Sequence, residues 1–215
     1  FHSIIDQWQY ILVFISIGSM ILGAVAAIGQ KNIKRLIAYS SISHIGYAMA
    51  GIASGSTNGF QSSLIYILIY VVMNVGFFAF IFLMKRKGKY VEEISELSGI
   101  SKNHPLSALS LLIVLFSLAG IPPLAGFFAK FYIFMAVIES GMFALAIIGL
   151  VTTVVSAFYY LRIIKIMYFD IPKKPFENSR DFGIYGSLAL SCIFLVSFFL
   201  YPSFFNSIIS SINIF

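Results

Sequence analysis

From Trp8 onward the chain alternates long apolar blocks with short polar interruptions. The blocks lie at 8–29, 36–54, 61–84, 105–138, 141–169 and 184–201, and formal charges are concentrated between them. At about 1.5 Å of rise per residue, each can carry a helix across about 30 Å of hydrocarbon. The pattern predicts an all-α fold: a polytopic transmembrane helix bundle of six spans, forming one membrane domain over 1–215.

The fourth block is about half as long again as one crossing requires. Its middle reads Leu118-Ala-Gly-Ile-Pro-Pro-Leu-Ala-Gly-Phe127. Pro122 and Pro123 remove two amide donors, and Gly120 and Gly126 tolerate backbone angles that a helix does not use. A discontinuous helix, broken near 120–126, is therefore expected near mid-membrane. Free backbone groups at that depth are tolerated only where protein or a water-filled cavity surrounds them. Breaks of this kind recur at ion and substrate sites of transporters.

Composition supports the membrane reading. The chain is 60% hydrophobic and 10% charged, against roughly 25% charge in a soluble domain, so a soluble enzyme is excluded. The net charge of +6 does not point to nucleic acid, because the basic residues sit in loops and form no stripe. All but one of the fourteen Lys and Arg residues lie in or beside 30–35, 85–104 and 170–183. By the positive-inside rule that face is the cytoplasm, or the matrix if the protein is organellar, and both termini face outward. The expected location is the inner membrane of a bacterium or of a mitochondrion, with the lipid bilayer as the first partner. The chain opens at Phe1 with no initiator Met, and its first residues are too polar for a secretory signal, so it is expected either to be cut from a longer chain or to be an incomplete sequence. The single cysteine, Cys192, lies in an apolar block with no Cys/His cluster, which gives no support to a disulfide, an iron–sulfur centre or a thiolate metal site.

The remaining basic residue is Lys130, less than two turns beyond the break. A lone membrane lysine can snorkel, but from mid-depth a side chain about 6 Å long falls short of either interface. A charge at the bilayer centre costs roughly 2.5–3.5 kcal/mol on insertion scales. An amine held there is a candidate for proton or ion handling, the alternative being a structural buried lysine. In the second span Ser40, His44 and Tyr47 share one helical face. His44 is either a proton relay or a neutral imidazole bonded to a neighbouring helix. Lys34, at the head of that span, is either functional or an orientation charge. The third span aligns Tyr66, Tyr70 and Asn74, and the fifth carries Thr152, Thr153, Ser156 and Tyr159. Such polar groups either hold water chains or join helices at about 0.6 kcal/mol each. Arg162 and Lys165 are expected to snorkel to the basic face. There is no Walker loop, no GxGxxG and no second deep histidine for a bis-histidine haem, so any driving force is expected from an ion gradient or from partner subunits.

Two stretches carry a resemblance: Gln30-Lys-Asn-Ile-Lys-Arg-Leu-Ile-Ala-Tyr-Ser-Ser-Ile-Ser-His-Ile-Gly-Tyr47 and Ser117-Leu-Ala-Gly-Ile-Pro-Pro-Leu-Ala-Gly-Phe-Phe-Ala-Lys-Phe-Tyr132. Together they closely resemble the antiporter-like membrane subunits of proton-pumping NADH:quinone oxidoreductase, respiratory complex I, over essentially the whole chain. The lysine followed by Phe-Tyr, and Ser156-Ala-Phe-Tyr-Tyr-Leu-Arg162, resemble the type with lysine on its second broken helix. Another type typically has glutamate there, and a third continues into a long lateral helix.

The resemblance implies the second half of an inverted-repeat antiporter-like fold, the last six of fourteen helices, with the first half-channel missing. This fragment alone is then not expected to pump. The resemblance assigns proton transfer to Lys130, Lys34 and His44, while helical spacing alone offers Ser40, Tyr47, Tyr66 and Asn74 as a supporting polar path. It implies no cofactor bound by this chain, with NADH, flavin, iron–sulfur clusters and quinone in partner subunits. It also implies lateral contact with sister antiporter-like subunits and membership of a translocase without redox chemistry of its own. A cation/proton antiporter or membrane-bound hydrogenase subunit, and a passive scaffold rich in its 23 Phe and 12 Tyr, are the alternative readings.

Overall fold

The computed structural model describes residues 5–177 and 181–200. The two ends of the chain, Arg180 and the Tyr201 boundary of the last apolar block lie outside the described residues. Among them the fold is almost entirely helical: α1 (Ile5–Ile28), α2 (Ile33–Ala53), α3 (Thr57–Leu83), α4 (Ile100–Asn103), α5 (Pro105–Ala119), α6 (Ala125–Glu139), α7 (Phe143–Phe169) and α8 (Phe182–Leu200). Four of these, at Trp8–Ile28, Ile33–Ala53, Thr57–Leu83 and Phe143–Phe169, are long and apolar enough to cross a membrane. The shorter apolar helices are Pro105–Ala119 and Phe182–Phe198.

The polar stretch expected to be a loop after α3 has structure of its own. A two-stranded antiparallel hairpin, β1 (Lys85–Arg86) and β2 (Lys89–Tyr90), is followed by a short 3-10 turn and α4. Local chemistry sets the helix ends. Asn32 caps α2, its Oδ1 accepting from the amides of Lys34 (2.9 Å) and Arg35 (3.1 Å). Ser56 caps α3 by accepting from the amide of Gly59 at 3.0 Å. Pro105 occupies the first turn of α5, where its missing amide is harmless.

Of the four long helices, α2 and α3 are the most buried and α1 the least. α2 lies against α1, α3 and α6, while α3 also contacts α5, α6 and α8. Close approach depends on small residues: a Cβ on Gly23 would sit 2.5 Å from the Ser43 amide, and one on Gly46 would sit 2.9 Å from the Met20 amide. The outward faces carry bare apolar side chains such as Phe14, Val71, Leu150 and Val154, as expected where lipid is the solvent.

The polar connections at 30–32, 84–104 and 170–177 are joined to one another. The Ile33 amide donates to Glu92 O (2.8 Å), that of Ile94 to Lys31 O (2.9 Å), and that of Glu177 to Lys85 O (2.9 Å). The opposite ends also meet, with Asn58 Nδ2 donating to Glu139 at 3.4 Å. The basic connections therefore gather on one side of the bundle.

Candidate functional site

The fourth apolar block is two helices. α5 stops at Ala119 because Gly120 takes a left-handed conformation (φ +80°), and α6 resumes at Ala125. The Pro122–Pro123 peptide bond between them is cis. Ser117 holds the two pieces together: its Oγ accepts from the Gly126 amide at 3.0 Å, and a Cβ on Gly126 would fall 1.8 Å from the Ser117 carbonyl oxygen.

Lys130 lies in the second turn of α6 and turns back across this break. It is 4% exposed, so it does not reach a surface. Its Nζ donates to Leu118 O at 3.2 Å and to Ala119 O at 3.3 Å. These are terminal carbonyls of α5, left without helical partners and at the negative end of that helix's dipole. The interrupted helix thus supplies the polar groups that receive the amine. The Tyr47 ring lies 5.0 Å from Nζ, within cation–π range. A cavity of about 270 Å³, lined by Gly120, Lys130, Phe134, Leu150 and Thr153 among others, borders the amine.

A second polar cluster forms where α2, α3 and α7 meet. The Nδ1 of His44 is 2.6 Å from the Tyr66 hydroxyl, and its Nε2 is 3.2 Å from the Tyr160 hydroxyl. Tyr160 also shares a short hydrogen bond with Ser40. The Tyr70 ring stacks on the imidazole at 4.8 Å. In a neutral imidazole one nitrogen donates and the other accepts, so the two phenols hold opposite roles. Exchanging those roles moves a proton from one side of the ring to the other. Tyr47 stands between the clusters, its ring 6.0 Å from that of His44 and its hydroxyl donating to Thr152 at 3.2 Å. Beside it, the buried Ser156 Oγ, Tyr159 OH and Thr153 Oγ1 have no protein partner. Buried hydroxyls in that condition are where ordered water binds.

Ser40, His44, Tyr47, Tyr66 and Lys130 are thus brought together, with Gly120, Pro122, Pro123 and Gly126 forming the break beside the lysine. Two expected members stand apart. Asn74 donates to Tyr70 O of its own helix at 2.9 Å, sharing the carbonyl one turn back that a short polar side chain reaches without any neighbouring helix. Lys34 is half exposed on the basic face, 2.6 Å from Glu92 Oε1, while Asn32 Nδ2 donates to the other carboxylate oxygen at 2.9 Å. Hydrogen bonds from Lys34 first and Asn32 second hold the Glu92 carboxyl below its ordinary range.

Arg162 extends toward the basic connections, where its guanidinium donates to Ile28 O (2.8 Å) and Gln30 O (2.7 Å) and closes the end of α1. Lys165 pairs with Asp170. Tyr160 is the residue that sequence reasoning missed; its spacing of four from Ser156 on α7 was the available signal. Cys192 is buried, its thiol directed at Ser110 O.

These features define a membrane-embedded helix bundle organised around an interrupted helix and a buried amine. The chain belongs to the NADH:quinone oxidoreductase/Mrp antiporter transmembrane family, whose model matches residues 1–156. It is similar to the NADH-quinone oxidoreductase subunit N of Pelagibacter ubique strain HTCC1062, at 58% identity over 100% of this chain and 45% of that protein. The subunit N of Parvibaculum lavamentivorans is 55% identical over 94% of this chain and 42% of that protein. A chain in the structure of respiratory complex I from Thermus thermophilus with bound NADH superimposes with a TM-score of 0.84 at 25% identity, over 96% of this chain and 44% of that one. The chain therefore spans less than half the length of these relatives.

Proposed function

We propose that this chain is the C-terminal part of a proton-translocating subunit of NADH:quinone oxidoreductase, moving protons through Lys130 and the His44 cluster. The observation that carries the reading is the amine of Lys130, buried at a helix break and satisfied by backbone carbonyls, with no carboxylate paired to it among the described residues. A buried ammonium without a counter-ion responds strongly to any charge brought near it. In this reading a neighbouring charge approaches and retreats as quinone is reduced in partner subunits, and the amine gains and loses a proton accordingly. Tyr47, the unpartnered hydroxyls of α7 with their water, and the Tyr160–His44–Tyr66 chain connect it with the rest of the path. Lys34, paired with Glu92, marks the entrance from the basic side.

The helices make six crossings in this arrangement, with α5 and α6 sharing one, the basic face cytoplasmic and both termini outward. The fold is the second half of an inverted repeat. NADH, flavin, iron–sulfur clusters and quinone belong to partner subunits, and sister antiporter-like subunits flank this one in the inner membrane of a bacterium. The 55–58% identity to named subunit N proteins favours this reading over a free-standing cation/proton antiporter.

The test is Lys130→Ala, with Lys130→Met as a variant that keeps the side-chain volume, in the assembled complex reconstituted into vesicles. Both should lower proton pumping and the coupled quinone reductase rate while the complex still assembles. Unchanged protons per quinone in the assembled variants would remove the assignment.

A further inference from the structure

The hairpin β1–β2 packs cations at one edge of the bundle. Four of its six residues, Lys85, Arg86, Lys87 and Lys89, are basic, and Tyr90 closes it. Arg86 is engaged by Glu96 and lies 4.9 Å from the Phe176 ring. Lys85 Nζ lies 4.6 Å from the Tyr90 ring. Lys87 and Lys89 are exposed, and among the described residues neither meets a carboxylate.

The nearby acids are already committed. Glu92 is held by Lys34, Glu96 is held by Arg86 and Lys173, and Glu93 accepts from Ser95. Glu177 accepts from the Gly88 amide at 3.0 Å. That bond and the backbone bond between Glu177 and Lys85 fasten the hairpin to the segment preceding α8. The cations are therefore presented on a fixed support.

The support stands at a lipid-facing rim. Tyr90, 47% exposed, packs edge-on against Phe82, 48% exposed on the last turn of α3, with ring centroids 6.2 Å apart. Phe82 belongs to the outward apolar face of a membrane-spanning helix, and tyrosine is enriched where hydrocarbon gives way to headgroups. Lys87 and Lys89 are thereby set at headgroup level.

We propose that this hairpin is a binding site for the headgroup of an anionic phospholipid, with Lys87 and Lys89 meeting the phosphate and Tyr90 and Phe82 lying along the upper acyl chain. Lys34 Nζ lies 5.9 Å from the same Tyr90 ring, so the site borders the basic-side entrance of the proposed proton path. Basic residues at a membrane surface attract anionic lipid by about 1 kcal/mol each, so removing one lysine should weaken binding roughly fivefold, and removing both roughly 25-fold.

The test uses a photoactivatable phosphatidylglycerol in nanodiscs that contain the assembled membrane complex. Cross-links are mapped by mass spectrometry and competed with unlabelled lipid. Phosphatidylglycerol should label the 82–90 region saturably, and a phosphatidylcholine probe should not. Lys87→Gln with Lys89→Gln should raise the half-competing concentration roughly 25-fold, Lys87→Arg with Lys89→Arg should restore it, and Lys102→Gln should leave it unchanged. Equal labelling by both lipids, an unshifted double Gln variant, failure of the Arg pair to rescue, or a Lys102→Gln shift as large as that of the double variant would each overturn the proposal.

Discussion

Replacing Gly120 with alanine should displace the Lys130 amine, and the size of the effect follows from two separable costs. Gly120 has φ +80°, and an L-residue in that region costs about 1–2 kcal/mol. The added Cβ would also lie 3.0 Å from Lys130 Cδ and 3.3 Å from Nζ, where ordinary contact begins at 3.4 Å. The lysine stem must therefore move by about 0.4 Å or the break must open, an overpacking of about 1–3 kcal/mol. Gly141 provides the control: its φ is +76°, and nothing lies within 4 Å of its added Cβ. Gly141→Ala should thus lose only the backbone part and keep proton pumping. Gly120→Ala should lose both parts and pump poorly, because the donor geometry to Leu118 O and Ala119 O is disturbed. Thermal denaturation of the purified complex and proton uptake in reconstituted vesicles measure the two effects. Equal pumping by Gly120→Ala and Gly141→Ala would refute the reasoning, because it would show that the lysine's position does not matter.

Tyr160→Phe removes the hydroxyl shared by Ser40 and His44 Nε2. Leaving those buried groups unpaired should cost about 1–3 kcal/mol and slow pumping severalfold, measured in the same vesicles. Arg162→Met should free the carbonyls of Ile28 and Gln30, seen as faster amide exchange around 28–36 with little change elsewhere. Hydrogen bonds from Lys173 first and Arg86 second hold the Glu96 carboxyl below its ordinary 4.5. A depressed carboxyl contributes stability above its unfolded value, and that contribution is lost as pH falls through the lower folded value. A ¹³C-carboxyl titration of Glu96 should therefore show a midpoint below 4.5, and Glu96→Gln should loosen the 94–104 and 170–177 segments already at neutral pH. A midpoint at or above the ordinary value would contradict the pairing.

The interrupted helix was legible because proline and glycine act through their own backbone chemistry, which needs no neighbour. The stripe of Ser40, His44 and Tyr47 was legible for a similar reason, since helical periodicity alone sets a common face. What periodicity omits is the register of one helix against another. Tyr160 meets His44 across 116 positions; its spacing of four from Ser156 sets it on a polar face but does not name the partner. Asn74 shares its stripe with Tyr66 and Tyr70 but satisfies its amide on its own helix, a competition that spacing cannot resolve. Arg162 reaches toward the basic side, but that its acceptors are the open end of another helix is again a matter of register. The hairpin escaped notice within a stretch read as connecting loop, its strands being only two residues long.

The acceptors at Leu118 and Ala119 have one further consequence. Peptide oxygens do not titrate in the physiological range, so they cannot take the proton from the lysine as a carboxylate neighbour could. An ammonium has three N–H bonds and a neutral amine two, enough in either case to serve both oxygens. The cradle at the break can therefore seat either form of the side chain with the same two acceptors, while the negative end of the α5 dipole favours the ammonium.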